Sequence, residues 1–420
     1  MGSSGLCFGH HETAPRSRDL IQRRWVFRLQ PPLVFSLMMP TVEIRPSPCL
    51  TTPDQCVQME CRLLYLVGQL GLGGLERQLF YLIRSMDRAH YKPVVAVWGN
   101  STDDHYTQEI RTLGVPVVSL GNNLTRSAKL RALRSLVFSL RPEVIHSYTF
   151  YTNIAAWWSA RGTGAIPIGS VRNNFILDRR DSGKVLGRLC GRWPSAQIFN
   201  SLTAERNAKQ STTMFRARRM HVIKNGLDLN RFSPRCHPQQ GYILSVGSLY
   251  PRKRWDRLIR AVALLVSTGV RLEVMHVGAG PLRVELETLT RNLRVEQIVR
   301  FLGARHDIPS LLADAAFLVH TAEDEGCPNV IMEAMACGRA VVATDAGDVP
   351  YLIDNGKTGF VVPREDEAAL ADHIATLLKD RELCRRMGAA GRIKAEQAFG
   401  LDRLRSETFA AYRAEGWEDR

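Results

Sequence analysis

The sequence has no run of about 18 apolar residues, the minimum length of a membrane-spanning helix. The nearest candidate, residues 33–39, is short and lies between prolines, and Arg28 interrupts the apolar stretch before it. A spanning helix and a signal peptide are therefore both disfavoured. We expect any contact with a membrane to be peripheral.

The nine cysteines form no C-x-x-C pair, and their number is odd. A disulfide framework and a cysteine-based zinc site are therefore disfavoured, and reduced thiols indicate a cytoplasmic location. No D-x-D motif or His/Cys cluster in the sequence offers a site for a divalent metal. We therefore predict a protein that works without a divalent metal and without another cofactor.

Acidic residues are in the minority, because 41 Asp and Glu against 56 Lys and Arg leave a formal net charge of +15. Residues 171–224 hold twelve Lys and Arg but three Asp and Glu, a net +9. Five of these cations have helical spacing around apolar residues: Arg179, Arg180, Lys184, Arg188 and Arg192. Such a face predicts an anionic membrane surface or an anionic acceptor, with a merely solvated face as the alternative. Nucleic acid is not expected, since no zinc-finger or RNP motif accompanies the charge.

A chain of 420 residues is too long for one hydrophobic core, so we expect two domains. Residues 1–58 show no sustained hydrophobic period and are interpreted as a mostly disordered extension. From residue 59 onward, apolar segments alternate with helical patterns, which predicts parallel βαβ units in an α/β fold. We expect domains at 59–232 and 242–400, with a linker rich in proline and glutamine at 233–241.

The most informative stretch runs from Thr321 to Gly347 and reads TAEDEGCPNVIMEAMACGRAVVATDAG. Seven residues separate Glu325 from Glu333, and among them Pro328 is well suited to the start of a helix. Both carboxylates are then expected near the N-terminal end of that helix, where unpaired N–H groups bind anions. The alternative is an amphipathic helix with two solvated glutamates.

A glycine-rich turn, GQLGLGGLE, follows the first apolar strand at Leu63–Val67 and leads into a helix expected from Arg77. Strand, glycine turn and helix bring backbone N–H groups close to a phosphate. The turn lacks the Lys-Ser/Thr pair of a P-loop and the spacing of a dinucleotide fingerprint. By itself it is weak evidence for a phosphate site.

His146 ends the strand predicted at Val144–Ser147. Ligands collect at the carboxyl ends of parallel strands, so His146 is a candidate for the cleft. The alternative is an ordinary core histidine whose ring nitrogens are hydrogen-bonded.

The motif E-G-x-P-N-V-x-x-E-A-M-A-x-G, followed by V-V-A-T-D-x-G, resembles the donor-site motif of glycosyltransferase family 4. The segments GGLE, VIKNGLD and VGAGP resemble other parts of the family pattern. The resemblance implies a GT-B fold, in which two Rossmann-like domains with parallel sheets face a central cleft. It also implies that a last helix, within residues 401–420, crosses back to the first domain. Members are retaining enzymes that transfer a sugar from a nucleotide-diphosphate sugar to a hydroxyl acceptor.

The resemblance also implies a role for each matching residue. Glu325 would hold the sugar hydroxyls and support charge at the anomeric carbon, while Glu333 would bind the ribose hydroxyls. Lys253 would compensate the charge of the leaving diphosphate, and His146 would orient the sugar or assist proton transfer. The remaining donor contacts would come from Gly73, Gly74, Gly278, Cys327, Pro328, Asn329 and Val330.

The chain departs from the family pattern at Ser248, where the family has an arginine that clamps the diphosphate. Arg252 or Arg254 would have to supply that charge from a shifted position. Two alternatives therefore stay open: an epimerase or phosphorylase on the same fold, and a protein that binds a nucleotide sugar without turnover. For the transferase, we expect a lipid-linked or polysaccharide acceptor.

Overall fold

The computed structural model describes most of the chain after residue 58. The described residues are 59–99, 104–121, 124–211, 214–238 and 241–419. The prediction of a disordered extension at 1–58 lies outside them.

Apolar, largely β-branched segments form a first sheet of seven parallel strands. The spatial order is β3-β2-β1-β4-β5-β6-β7. The strands are β1 Leu63–Val67, β2 Pro93–Val97, β3 Val117–Ser119, β4 Val144–Ser147, β5 Ile166–Val171, β6 Ala196–Phe199 and β7 Arg219–Val222. Strands β1, β2 and β4 are buried throughout, as expected for central strands covered by helices on both faces.

Six further parallel strands form a second sheet in the order β10-β9-β8-β11-β12-β13. They are β8 Ile243–Val246, β9 Val274–Val277, β10 Val299–Phe301, β11 Phe317–His320, β12 Ala340–Thr344 and β13 Gly359–Val362. The first sheet ends at Val222 and the second begins at Ile243, so the expected linker falls between the sheets.

Helices connect the strands of each sheet. In the first half they are α1 Gly74–Ser85, α2 Arg88–Tyr91, α3 His105–Thr112, α4 Arg126–Leu140, α5 Asn153–Ala160, α6 Phe175–Asp181, α7 Lys184–Arg192 and α8 Leu202–Gln210. After the linker they are α9 Trp255–Ser267, α10 Arg283–Asn292, α11 Ile308–Asp314, α12 Asn329–Ala336, α13 Val349–Leu352, α14 Glu367–Lys379, α15 Arg381–Ala398 and α16 Leu401–Ala414. Short 3-10 helices occur at Phe150–Thr152 and Pro251–Lys253. None of the helices in the described chain is long and apolar enough to cross a membrane.

The helix after the glycine turn begins at Gly74, three residues before the predicted start. Arg77 therefore lies in the first turn of α1 instead of opening the helix. The N-terminus of α1 lies where the two halves of the chain meet.

The last helix, α16, packs on the first half although it follows the second. Its residues Leu404, Phe409 and Tyr412 share one hydrophobic core with Leu63 and Tyr65 of β1. The second sheet has its own core, so α16 is the element that returns to the first half at the end of the chain.

Candidate active site

The paired glutamates lie at the start of α12. Pro328 is its N-cap residue, and the helix itself begins at Asn329. Glu325 is on the loop before the helix, and Glu333 is inside it with 2% of its surface exposed. The proline thus starts the helix where the sequence predicts.

Glu325 forms an ion pair with Lys253 at the carboxyl ends of β8 and β11. Lys253 Nζ donates a hydrogen bond to Glu325 Oε1, and both side chains are largely buried, at 15% and 14% exposure. His320, fully buried at the end of β11, places Nε2 3.2 Å from the same oxygen.

These neighbours decide the charge state of the site. Burial alone would raise the pKa of Glu325, but the charge of Lys253 and the contact with His320 outweigh it and hold that pKa well below its usual value. Burial lowers the pKa of His320 despite the adjacent carboxylate. At neutral pH the site therefore holds an ionised Glu325 and a neutral His320.

Glu333 has a cationic partner from the other half of the chain. Arg77 Nη2 donates to Glu333 Oε1, and the two side chains are 21% and 3% exposed. Burial opposes the charge of Arg77, yet the attraction of Glu333 leaves its pKa raised. Sequence reasoning missed this pair. The available signal was a cation in the first turn of a helix, where the helix dipole disfavours it unless an acid lies nearby.

The N-termini of α1 and α12 face each other. A Cβ atom at Gly74 would lie 2.9 Å from Asn329 Nδ2. Asn329 Oδ1 accepts hydrogen bonds from Gln78 Nε2 at 3.2 Å and from Asn225 Nδ2 at 2.8 Å. Gln78 also bonds the backbone of Gly226 in both directions, at 2.8 and 2.7 Å. Two positive helix ends therefore converge on one space, an arrangement that binds phosphate groups.

The remaining donor-site candidates supply backbone instead of side chains. Gly73 is the N-cap residue of α1. Gly278 has φ of +152°, and a Cβ there would lie 1.8 Å from the carbonyl oxygen of Gly247, so only glycine fits. Cys327 is buried, and burial raises the pKa of its thiol to about 12, which leaves its backbone as the usable group. Val330 is half-buried in the first turn of α12.

The expectation that His146 faces the cleft is wrong for this structure. His146 is 1% exposed in the core, with Nδ1 2.6 Å from Tyr412 Oη and Nε2 2.8 Å from Ser170 Oγ. Burial, aided by the charge of Arg172, lowers its pKa well below the usual value. Both ring nitrogens already have hydrogen-bond partners. His146 is therefore the core histidine that the sequence analysis gave as the alternative.

The two arginines near Ser248 lie in different surroundings. Arg254 is tied to Asp256 at 3.0 Å and to Glu323 at 3.2 Å. Arg252 is exposed, and its charge acts on the carboxylates of Asp178 and Asp324. The cation that the structure brings to Glu325 is therefore Lys253. Among the described residues, no three His, Cys, Asp or Glu side chains are grouped closely enough to hold a metal ion.

Two parallel sheets with opposed helix N-termini between them define a protein of the GT-B fold, which confirms the expected fold class. The model "Glycosyltransferase Family 4" matches residues 72–231, and "Glycosyl transferases group 1" matches residues 228–394. The two matches overlap at residues 228–231 and together include every strand of the two sheets except β1. Both halves of the chain thus resemble glycosyltransferases, and the first half matches family 4.

Named relatives are glycosyltransferases. The chain is 32% identical over 170 residues to N-acetyl-alpha-D-glucosaminyl L-malate synthase of Bacillus anthracis, covering 40% of this chain and 44% of the relative. It is 28% identical over 303 residues to D-inositol 3-phosphate glycosyltransferase of Streptomyces avermitilis, covering 65% of each. The aligned part of the chain thus spans 44% to 65% of the length of these two relatives.

A solved structure with the same fold is HepE (Alr3699) of Anabaena in complex with UDP-glucose. It superposes with a TM-score of 0.72 at 21% identity, over 84% of this chain and 99% of that one. At this identity the likeness shows the fold.

Proposed function

We propose that this chain is a retaining glycosyltransferase that moves a sugar from a nucleotide-diphosphate sugar to a hydroxyl acceptor. The observation that carries the proposal is the ion pair of Glu325 and Lys253 beside the start of α12, facing the N-terminus of α1. The matches to glycosyltransferase family models, the glycosyltransferase relatives and the UDP-glucose complex of HepE support a nucleotide-sugar donor.

Each group has a task in this reaction. The two helix N-termini and Lys253 stabilise the negative charge of the departing diphosphate. Glu325, ionised and largely shielded from water, stabilises the positive charge that develops at the anomeric carbon. Glu333 binds the ribose hydroxyls once the side chain of Arg77 moves away from its carboxylate.

We further propose that turnover needs neither a divalent metal nor another cofactor. Lys253 and the helix ends provide the charge compensation that a metal supplies in other transferases. Activity that persists unchanged in EDTA would support this proposal, and activity restored only by added Mg²⁺ or Mn²⁺ would refute it.

The test begins with the donor. UDP-, GDP- and ADP-sugars are added one at a time, and the true donor in excess is expected to raise the melting temperature. That donor is then incubated without an acceptor. An epimerase would isomerise the sugar under these conditions, whereas the transferase leaves its configuration unchanged.

The reaction class is settled by the product. Transfer with retention gives a glycoside with the anomeric configuration of the donor, which NMR of the product reads directly. An inverted product would refute retention. A melting shift without transfer to any hydroxyl acceptor would leave a binding protein.

We also propose that the acceptor is lipid-linked or a growing polysaccharide, used at the inner face of the cytoplasmic membrane. In support, four cations line a surface groove of about 320 Å³ on α6 and α7: Arg179, Arg180, Lys184 and Arg188. Ile176 and Val185 stand exposed in these helices at 56% and 72%. Cations around exposed apolar residues bind anionic lipid surfaces. Co-sedimentation with phosphatidylglycerol vesicles, but not with phosphatidylcholine vesicles, is the expected result.

A further inference from the structure

A cavity of about 530 Å³ lies in the first half of the chain, beside the start of α1 and helices α5, α6 and α7. Most of its lining is apolar, and the main contributors are Leu75, Trp98, Leu130, Phe150, Ile154 and Leu186. The volume suits a small organic molecule or one segment of a larger one. None of the donor-site candidates lines this cavity.

Arg172 is a buried cation in the wall of this cavity. The residue is 7% exposed, and its guanidinium lies over the ring of Tyr148, with Cζ 4.0 Å from the ring centroid. Within the described chain, Nε and Nη1 of Arg172 have no hydrogen-bond partner. Burying charged N–H donors without an acceptor is unfavourable, so a ligand that supplies an anionic oxygen here would bind favourably.

A second polar group lies in the same wall. Asp178 is half-buried, and its surroundings raise the pKa of its carboxyl to about 7, chiefly by desolvation and against a hydrogen bond with Asn173. A carboxyl with a raised pKa repels an anionic ligand less than an ordinary aspartate does. It can also hydrogen-bond a hydroxyl group.

The cavity adjoins the loop that carries Glu325. A Cβ at Gly326 would lie 3.0 Å from the carbonyl oxygen of Arg172. Two residues after Arg172, Asn174 Nδ2 donates at 3.2 Å to Oδ1 of Asp324, which lies two residues before Gly326. A molecule in the cavity can therefore present a hydroxyl toward the donor side without leaving the apolar wall.

We propose that this cavity is the acceptor pocket, and that it selects an acceptor with an apolar body and a phosphate or carboxylate group, which Arg172 binds. The inference rests on the proposed glycosyl transfer, and it adds the chemical class of the acceptor. Leu186 of α7 lines the cavity while Arg188 of the same helix belongs to the outer basic groove. An acceptor anchored in an anionic membrane can therefore reach the pocket beside its docking surface.

Calorimetric titration of the full chain tests this acceptor pocket with three compounds: octyl phosphate, octyl glucoside and inorganic phosphate. Each amphiphile is kept below its critical micelle concentration. Octyl phosphate carries both recognised features, whereas each of the others lacks one. We expect octyl phosphate to bind roughly tenfold more tightly than either, because one charge-assisted hydrogen bond alone is worth about that factor. Equal binding of octyl phosphate and octyl glucoside would overturn the role of Arg172. Equal binding of octyl phosphate and inorganic phosphate would overturn the apolar part.

Variants locate the binding site. Arg172→Gln should lose the preference for octyl phosphate over octyl glucoside, and Arg172→Lys should regain part of it. Arg271→Gln, at an exposed arginine of the second half of the chain, is the matched control and should bind as the parent does. Leu186→Trp fills the cavity, so it should weaken both octyl compounds even if Arg172→Gln does not fold. A parent-like affinity in Leu186→Trp would place the binding elsewhere.

The melting shift with nucleotide sugars separates this inference from the proposed function. If no nucleotide sugar stabilises the parent while octyl phosphate binds as expected, the transferase proposal fails and the anion-binding pocket stands. If the donor stabilises the parent and Arg172→Gln alike while octyl phosphate binds neither, the pocket assignment fails alone.

Discussion

Glu325 stays ionised in a largely buried position because its carboxylate forms an ion pair with Lys253 and contacts His320. A carboxylate held in this way is already oriented when substrate arrives, so no reorganisation is needed as positive charge develops. The chemistry of the site thus depends on the charge and orientation of single side chains.

The first prediction concerns the charge of Glu325. Glu325→Gln keeps the shape and removes the negative charge, so we expect kcat to fall by about 10²- to 10³-fold, the usual loss when a preorganised electrostatic group is removed. The measurement is the rate of nucleoside diphosphate release with the identified donor. Glu323→Gln, at an exposed carboxylate of the same loop, is the control and should keep parental activity. Full activity in Glu325→Gln would remove this carboxylate from the reaction.

The same carboxylate predicts a pH dependence of stability. Because the pKa of Glu325 is depressed in the folded protein, its ionised form stabilises the fold above the unfolded pKa of about 4.3 and loses that effect as pH falls further. The difference in unfolding free energy between the parent and Glu325→Gln should therefore shrink between about pH 5 and about pH 3. Urea unfolding at several pH values measures it, and a constant difference would contradict the assignment.

Arg77 and Glu333 give a third prediction. Arg77→Gln leaves the buried Glu333 carboxylate without its cation, so we expect a loss of about 2–4 kcal/mol in unfolding free energy. Arg77→Gln combined with Glu333→Gln should recover much of that loss, which a double-mutant cycle would measure. The donor should raise the melting temperature of Arg77→Gln more than that of the parent, because ribose no longer competes with Arg77. An equal shift would show that the pair does not restrict the donor site.

At the scale of elements, the site depends on how closely α1 approaches α12. Gly74 opens α1, and Asn329 opens α12 and is bonded to Gln78 and Asn225. Any side chain at Gly74 meets this network before it meets a ligand.

The fourth prediction follows from that approach. In Gly74→Ala the added methyl lies 2.9 Å from Asn329 Nδ2, so Asn329 must move and weaken its hydrogen bonds. We expect donor affinity to fall by up to roughly tenfold, the cost of about one hydrogen bond. Gly71→Ala is the matched control in the same turn, since nothing lies within 4 Å of its added Cβ. Equal affinities in calorimetry would show that the close approach does not shape the donor site.

At the scale of the whole molecule, the two halves are joined by the linker and also by α16. Tyr412 of α16 bonds His146 of β4 inside the first core, so the end of the chain completes a core begun at Leu63. Stability of the first half therefore depends on residues more than three hundred positions away.

The fifth prediction separates this structural task from catalysis. Tyr412→Phe removes the hydroxyl that faces His146 Nδ1 and leaves a buried ring nitrogen unpaired, so we expect a loss of about 1–3 kcal/mol in unfolding free energy. At temperatures where the variant is folded, kcat should stay at the parental value. A large fall in kcat with unchanged stability would return His146 to the reaction.

The sequence by itself determined strands β1 and β4, the cap of α12 at Pro328 and the glycine turn before α1, because periodicity, proline and glycine act within a few residues. The family motif likewise identified the two glutamates and Lys253. Tertiary structure alone decided that Arg77 forms an ion pair with Glu333 and that His146 is buried in contact with Tyr412. It also decided that Arg172 lines an apolar cavity. These facts depend on which side chains meet when distant segments pack, and local sequence preferences carry no information about such encounters.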